Sequence, residues 1–296
     1  MINVGIIGLG KWGEKLLRVF NNNCRVVFAS SHNKQKANLE KEYPNVTFKI
    51  RQYENLIKQS NVDAIVVATP TKYHKSIIEI CATYKKHVFV EKPLAANINE
   101  CNELKKNFPK DRVLFVGHIF LYHPCYLKLI DHVGKRNISS VYASWGKMGS
   151  FKSDFLLEIL PHDISLGISI FNGKPFKIKK LFSFGLHSDS DHFLLELKYK
   201  KNKDYKIEIN RISNINRRFM RFQTSDEEIF IWDNDSLLYF NKNKNAYETF
   251  FKSDQEPLQC EIQEFLSCLE NSTVKSDFSF SNDVISVIED INNYFL

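Results

Sequence analysis

Gly8-Leu9-Gly10-Lys11-Trp12-Gly13 has the Gly-x-Gly-x-x-Gly spacing of a turn that receives a phosphate. Gly8 permits the tight turn, Gly10 lets the backbone approach a pyrophosphate, and Gly13 allows close packing of a helix on a strand. A helix that opens here offers free N–H groups and a partial positive charge to an anion. Lys11 and Trp12 fall inside the loop. The alternative is a glycine-rich turn in an unrelated α/β protein.

About 20 residues on, NAD-binding chains usually place an acid for the ribose 2′-hydroxyl. This chain has Phe28-Ala29-Ser30-Ser31-His32-Asn33-Lys34, with no Asp or Glu. The hydroxyls of Ser30 and Ser31, His32 and Lys34 suit a 2′-phosphate. NADP is therefore expected in preference to NAD, and the alternative is a merely polar loop.

Val90-Glu91-Lys92-Pro93-Leu94 ends an apolar run. Ligands bind outside the carboxyl ends of strands in open α/β sheets, so Lys92 would lie near a nicotinamide. A free lysine has a pKa of about 10.4. Burial beside a cationic ring lowers it toward use as a proton donor or acceptor. Ala68-Thr69-Pro70-Thr71-Lys72-Tyr73-His74 closes another run, where Thr69 and Pro70 could line a cofactor and His74 could cap the next helix. Glu158 and His162 are four apart on an expected helix and so share a face. The acid could orient the imidazole, or the two could form a surface ion pair. Asp163 follows, and Pro161 kinks that helix or starts a new one.

Short apolar runs alternating with helical patterns must position these groups. Strands are expected at Ile2–Gly8, Arg25–Ala29, Val46–Ile50, Ala64–Ala68, His87–Val90 and Val113–Gly117. Helices are expected at Lys11–Asn22, Asn33–Tyr43, Tyr53–Gln59, Ser76–Tyr84 and Ile98–Asn107. This alternation predicts right-handed βαβ units and a doubly wound parallel Rossmann sheet covered on both faces. After residue 118 the pattern changes. Tyr126–Val133 and Asp154–Phe171 read as helices and Ser139–Lys147 as a strand. Lys177–Leu186, His192–Tyr199, Lys203–Ile212, Arg217–Ser225, Glu228–Trp232 and Ser236–Phe240 read as an antiparallel meander. Glu261–Leu269 and Asp283–Tyr294 read as closing helices. The expected organisation is α/β followed by α+β: a nucleotide-binding domain over 1–118, and over 119–296 an open, mainly antiparallel sheet with helices.

With 296 residues, 43% hydrophobic and 25% charged, the chain can bury a sizeable core without staples. A disordered tail, a collagen-like fibre and a disulfide scaffold are excluded. No apolar run is long enough for a bilayer, and the N-terminus lacks a basic n-region and cleavage site. The six cysteines show no Cys-x-x-Cys or zinc spacing, so a cytoplasmic chain with reduced thiols and no metal is expected. The net charge of +7, from 41 basic and 34 acidic residues, suits a phosphate-bearing ligand as well as a nucleic acid. Arg211, Arg217, Arg218 and Arg221 form a basic stretch. Strand alternation puts Arg217 and Arg221 on one face and Arg218 on the other. They would grip substrate phosphates, or form a solvated or paired strand face.

Taken in order and spacing, Gly8 to Gly13, Ala68-Thr69-Pro70 with His74, Glu91-Lys92-Pro93, Gly117-His118 and Leu160-Pro161-His162-Asp163 resemble the glucose–fructose oxidoreductase / inositol dehydrogenase family (Gfo/Idh/MocA). The likeness covers roughly residues 1–172 by motif. It implies hydride transfer between NAD(P) and a carbinol or ketone, usually on a sugar, an inositol or a nucleotide-linked sugar. It also implies an open sheet that often serves oligomerisation, hence a homodimer or homotetramer. Lys92 and His162 correspond to the family's acid–base groups, and either could be the main acid. Glu158 stands where the family commonly has Asp, and Ser165 where many members have a second Asp. Glu91 joins the cofactor-binding set. Lys92, His118, Tyr122, His162 and Asp163 form the expected substrate-binding set. Gly117 to Pro124 and Pro161 to Ser165 are similar to nucleotide-sugar members. Rival readings are a biliverdin- or imine-reductase-like member of the family and a non-catalytic NADP-binding regulator. A nucleic-acid partner and a membrane are not expected.

Overall fold

The structure is a computed structural model, and it describes residues 1–32, 37–149, 158–187, 190–271 and 277–293. The expected helical residues Asn33 to Lys36 and Asp154 to Leu157 lie outside them, and so do Lys34 of the cofactor loop and Tyr294 at the end of the last expected helix.

The first unit begins with β1 (Asn3–Ile7), α1 (Lys11–Asn23), β2 (Arg25–Ser31), α2 (Ala37–Glu42), β3 (Thr47–Ile50) and α3 (Tyr53–Gln59). It continues with β4 (Ala64–Val67), α4 (His74–Thr83), β5 (His87–Glu91), α5 (Ile98–Asn107) and β6 (Leu114–Gly117). The six strands run in the order β3-β2-β1-β4-β5-β6, every pair parallel. This is the expected doubly wound sheet, and its order reverses between β1 and β4. Ala64, Ile65, Val66 and Val67 are all buried, because a strand covered on both faces has no solvent side. The α1 helix turns Leu16, Leu17, Val19 and Phe20 inward.

The second unit contains α6 (Pro124–Val133), β7 (Ile138–Gly146), α7 (Leu160–Phe171), β8 (Lys177–Phe184), β9 (His192–Tyr199), β10 (Lys203–Asn210), β11 (Arg217–Thr224), β12 (Ile229–Asp233), β13 (Ser236–Asn241) and β14 (Ala246–Lys252). The eight strands run β14-β13-β12-β11-β7-β10-β9-β8. The sheet is open and mainly antiparallel, but it is not one meander. Strand β7 enters between β10 and β11 and runs parallel to β10. The meander expected from residue 176 onward is therefore split, and β14 extends it beyond the expected last strand. Alternation buries Tyr205, Ile207 and Ile209 of β10 and Met220 and Phe222 of β11. Helix α7 covers this face, with the Phe171 ring 4.5 Å from Tyr199.

Two helices close the chain, α8 (Pro257–Glu270) and α9 (Phe278–Asn292). The compact units are Met1–His118 with Leu258–Ile285, and Ile119–Pro257 with Ser286–Leu296. This differs from two contiguous stretches meeting at residue 118, and aromatic packing explains why. Phe265 of α8 lies 5.5–6.1 Å from the rings of Phe20, Phe89 and Phe115, and such pairs add to simple area burial. Asp277 also accepts the Val116 N–H at 2.9 Å. No helix among the described residues is long and apolar enough to cross a membrane.

Candidate functional site

The glycine loop takes the conformation its spacing predicts. Gly8 has φ +102°, and a Cβ there would lie 2.4 Å from the Ala68 carbonyl oxygen. At Gly13 a Cβ would lie 1.9 Å from the Gly8 carbonyl oxygen. Gly10 faces open space, with nothing within 4 Å of its Cβ position. It caps α1 in an extended conformation and, as glycine, brings no side chain of its own to the helix's first N–H groups. Those donors are therefore available to an anion.

Trp12 joins this loop to β5 by donating its indole N–H to the Glu91 carboxylate. Lys15 lies 5.1 Å above the same indole. Glu91 is buried at the end of β5, and burial raises its pKa to about 7 against the opposing pull of the Trp12 hydrogen bond and the Lys92 charge. Lys92 is half-buried, and the Lys92–Pro93 peptide is cis. His74 is only 1% exposed. Its Nδ1 lies 2.9 Å from the Pro93 carbonyl and its Nε2 2.8 Å from the Thr69 carbonyl. It thus braces the loops after β4 and β5, and burial lowers its pKa. Its ring contacts are to backbone, where a cofactor contact was expected. Thr69 Oγ1 is buried with no protein partner among the described residues, while Pro70 is exposed.

At the end of β2, Ser30 is 2% exposed and its carbonyl accepts the Gly8 N–H at 2.8 Å. Of Ser30, Ser31 and His32, all expected at a 2′-phosphate, only Ser31 and His32 reach the surface. Arg51, which sequence reasoning missed, stands beside them. Its N–H donates to the Ser31 carbonyl at 3.0 Å, and its Nε donates to the His32 carbonyl at 3.3 Å. No local spacing links Arg51 to His32. Only the parallel pairing of β2 with β3 does so.

The second group of candidates lies in the C-terminal unit. Helix α7 starts at Leu160 with Pro161 in its first turn, where a missing N–H costs nothing. Glu158 is exposed and helical, and a turn at Ile159 separates it from α7, so the single helix expected to carry both Glu158 and His162 is interrupted between them. His162 lies in the first turn, half-buried. The Phe120 ring meets it at 4.7 Å and 73°. Ser165 donates to the His162 carbonyl at 2.8 Å.

Asp163 is 1% exposed. Its Oδ1 accepts from Tyr205 OH at 3.2 Å and from Arg218 Nη2 at 3.1 Å. Burial pushes its carboxyl up, and the guanidinium beside it pulls it back. Arg218 also stacks 3.6 Å over Phe120 and 4.9 Å over Trp145. Asp163 is thus committed to a buried ion pair beside the helix histidine. His118 is buried, with its ring 5.3 Å from Phe280, and Tyr122 ends a half-exposed 3-10 turn.

The basic stretch does not form one patch. Arg211 is buried against Asp191 at 3.0 Å. Arg217 is exposed and paired with Asp233 at 2.7 Å, and Arg221 is exposed. The predicted alternation of Arg217 and Arg221 against Arg218 is observed. The glycine loop, Trp12, Glu91, Lys92, Thr69 and His74 come together in one unit. His162 and Asp163 come together with Phe120 and Arg218 in the other.

Residues 2–118 match the model of an oxidoreductase family with an NAD-binding Rossmann fold, GFO_IDH_MocA. The open cradle at Gly10, the close approaches at Gly8 and Gly13 and the orphan Thr69 hydroxyl all fit a dinucleotide held by this segment. The chain is 31% identical over 121 residues to 2,7-anhydro-N-acetylneuraminate hydratase of Escherichia coli, covering 40% of this chain and 32% of that one. It is 31% identical over 128 residues to myo-inositol 2-dehydrogenase of Thermotoga maritima, covering 39% and 36%. These matches span about a third of the curated relatives' length. The solved structure of UDP-N-acetylglucosamine 3-dehydrogenase from Acidithiobacillus ferrooxidans shares the fold over 98% of this chain and 96% of that one. Its TM-score is 0.86 at 18% identity.

Proposed function

We propose that this chain is an NAD(P)-dependent oxidoreductase acting on a secondary alcohol or ketone of a sugar-like substrate, free or nucleotide-linked. NADP is the preferred form, since the end of β2 carries no acid. The bound nicotinamide supplies the hydride acceptor or donor. Gly8, Gly10, Gly13 and the N-terminus of α1 hold the pyrophosphate, while His74 fixes the two loops beside it. In the reductive direction Lys92 Nζ gives a proton to the developing alkoxide, and in the oxidative direction it takes the hydroxyl proton. His162, held against Phe120, is the substrate-facing group of the C-terminal unit. A small-molecule substrate and a homodimer or homotetramer belong to the same reading, and exposed Phe184 and Leu186 support a self-associating sheet.

The observation that carries this reading is the Trp12–Glu91 hydrogen bond. It ties the phosphate loop to the strand end that bears Lys92. General acid–base help contributes about 10²–10⁴-fold. The test follows nicotinamide absorbance with keto-sugars, inositols and nucleotide-linked sugars. Lys92→Met is expected to lower kcat by about 10²–10⁴-fold while NADPH still binds. Wild-type turnover by that variant would remove Lys92 from the chemistry.

A further inference from the structure

We propose that Arg51 is the residue that reads the adenosine ribose of the dinucleotide, taking a 2′-phosphate and so setting the preference for NADP. This inference rests on the dinucleotide reading above. The register aligns Ile7 with Ser30 and Ser31 with Ile50. The glycine loop, Ser31-His32 and Arg51 therefore follow one another along the carboxyl rim of the sheet. That row spans two strand spacings, about 10 Å. A dinucleotide whose pyrophosphate sits on the glycine loop meets the ends of β2 and β3 with its adenosine side.

Arg51 is presented for such a ligand. It is exposed. Its backbone has φ +55°, a left-handed conformation that costs a non-glycine residue energy and that clusters at ligand clamps. The bond from its N–H to the Ser31 carbonyl holds that conformation. The side chain is steered back over β2, with Nε on the His32 carbonyl and Nη2 3.4 Å from His32 Nε2. These contacts occupy two of the five guanidinium N–H groups. Among the described residues no carboxylate pairs with Arg51. The remaining N–H fork matches the geometry of a phosphate. The Ser31 position adds a half-exposed hydroxyl-bearing residue on the same rim.

The test titrates wild type, Arg51→Gln and Arg51→Lys with NADPH and NADH, and repeats the series with adenosine 2′-monophosphate and 5′-monophosphate. Charge-assisted hydrogen bonds predict that Arg51→Gln weakens NADPH about 10–100-fold, with NADH changed less than about twofold. Arg51→Lys keeps the charge without the fork and is expected to fall between. Added salt is expected to weaken NADPH more than NADH in wild type, and to lose that difference in Arg51→Gln. If NADH binds and Arg51→Gln leaves NADPH affinity unchanged or weakens both dinucleotides equally, the role of Arg51 is overturned and the dinucleotide reading stands. If wild type binds neither dinucleotide, both fall.

Discussion

The two groups of candidate residues are built in different ways. The phosphate loop is made of backbone. Its shape comes from glycines two and three positions apart, and its donors are the uncapped N–H groups of α1. The cluster at the start of α7 is made of side chains. Asp163, Tyr205 and Arg218 converge from separate elements, the bonded partners standing 42 and 55 positions apart in sequence. The first arrangement tolerates almost any neighbouring side chain but very few Cβ atoms. The second tolerates backbone variation but not the loss of one charge. Opposite sensitivities to mutation follow.

The largest effect on stability is expected at Asp163–Arg218. Arg218→Met leaves a buried carboxylate without its cation, and breaking such a pair costs about 3–5 kcal/mol. Denaturant unfolding at neutral pH measures it. A loss below about 1 kcal/mol would show that the C-terminal cluster is not the electrostatic unit described.

Glu91 sharpens the contrast from the other side, because it is a buried carboxyl serving a backbone-built loop. Its pKa rises from 4.5 to about 7 on folding. Between those values the folded state holds the proton more tightly, so this group's contribution is most favourable below about pH 4.5 and is lost as pH rises toward 7. The shift corresponds to at most about 3 kcal/mol. Stability of wild type minus that of Glu91→Gln should therefore fall across this window and be flat above it. A difference that rises with pH would contradict the burial-dominated account.

Gly13→Ala tests the loop as structure. Its Cβ would meet backbone at 1.9 Å, and overpacking of this kind costs about 1–3 kcal/mol. Tm and dinucleotide affinity should fall together. The smallest effect is expected at Arg217. It is 53% exposed in its pair with Asp233, and such pairs contribute about 0–1 kcal/mol. Arg217→Ala should be nearly silent in unfolding. A large rise in KM for a nucleotide-linked sugar in the Arg217→Ala/Arg221→Ala double variant would instead return these residues to the substrate.

The same contrast explains what the sequence revealed. Gly8, Gly10 and Gly13 were legible because a phosphate turn is a local object with fixed spacing. The alternation of β4, β5 and β6 with helices likewise announced a parallel sheet. Strand β7 was recognised as a strand but not as the partner of β10 and β11, since pairing across tens of residues leaves no periodic trace. Arg218 was read as part of a basic surface because its neighbours in sequence are basic. Only the fold turns it inward onto Asp163. His74 and Ser30 had suitable chemistry at suitable strand ends, yet burial of both side chains is set by packing that spacing does not encode. The face-sharing of Glu158 and His162 assumed a helix running through Pro161. A turn at Ile159 instead interrupts it, and α7 starts beside that proline, whose missing N–H is best placed in a first turn.

Gly10 separates binding from folding most cleanly. Its Cβ position is open, its φ of −75° suits any residue, and aspartate is at least as good a helix cap as glycine. Titration of Gly10→Asp with NADPH, alongside its thermal unfolding, is therefore the most direct test of a cradle built for a dinucleotide. The expected result is an unchanged or raised Tm with affinity reduced at least about 100-fold, as the carboxylate takes the N–H groups and repels the phosphates. A Gly10→Asp protein that binds NADPH as wild type does would contradict the account at its centre.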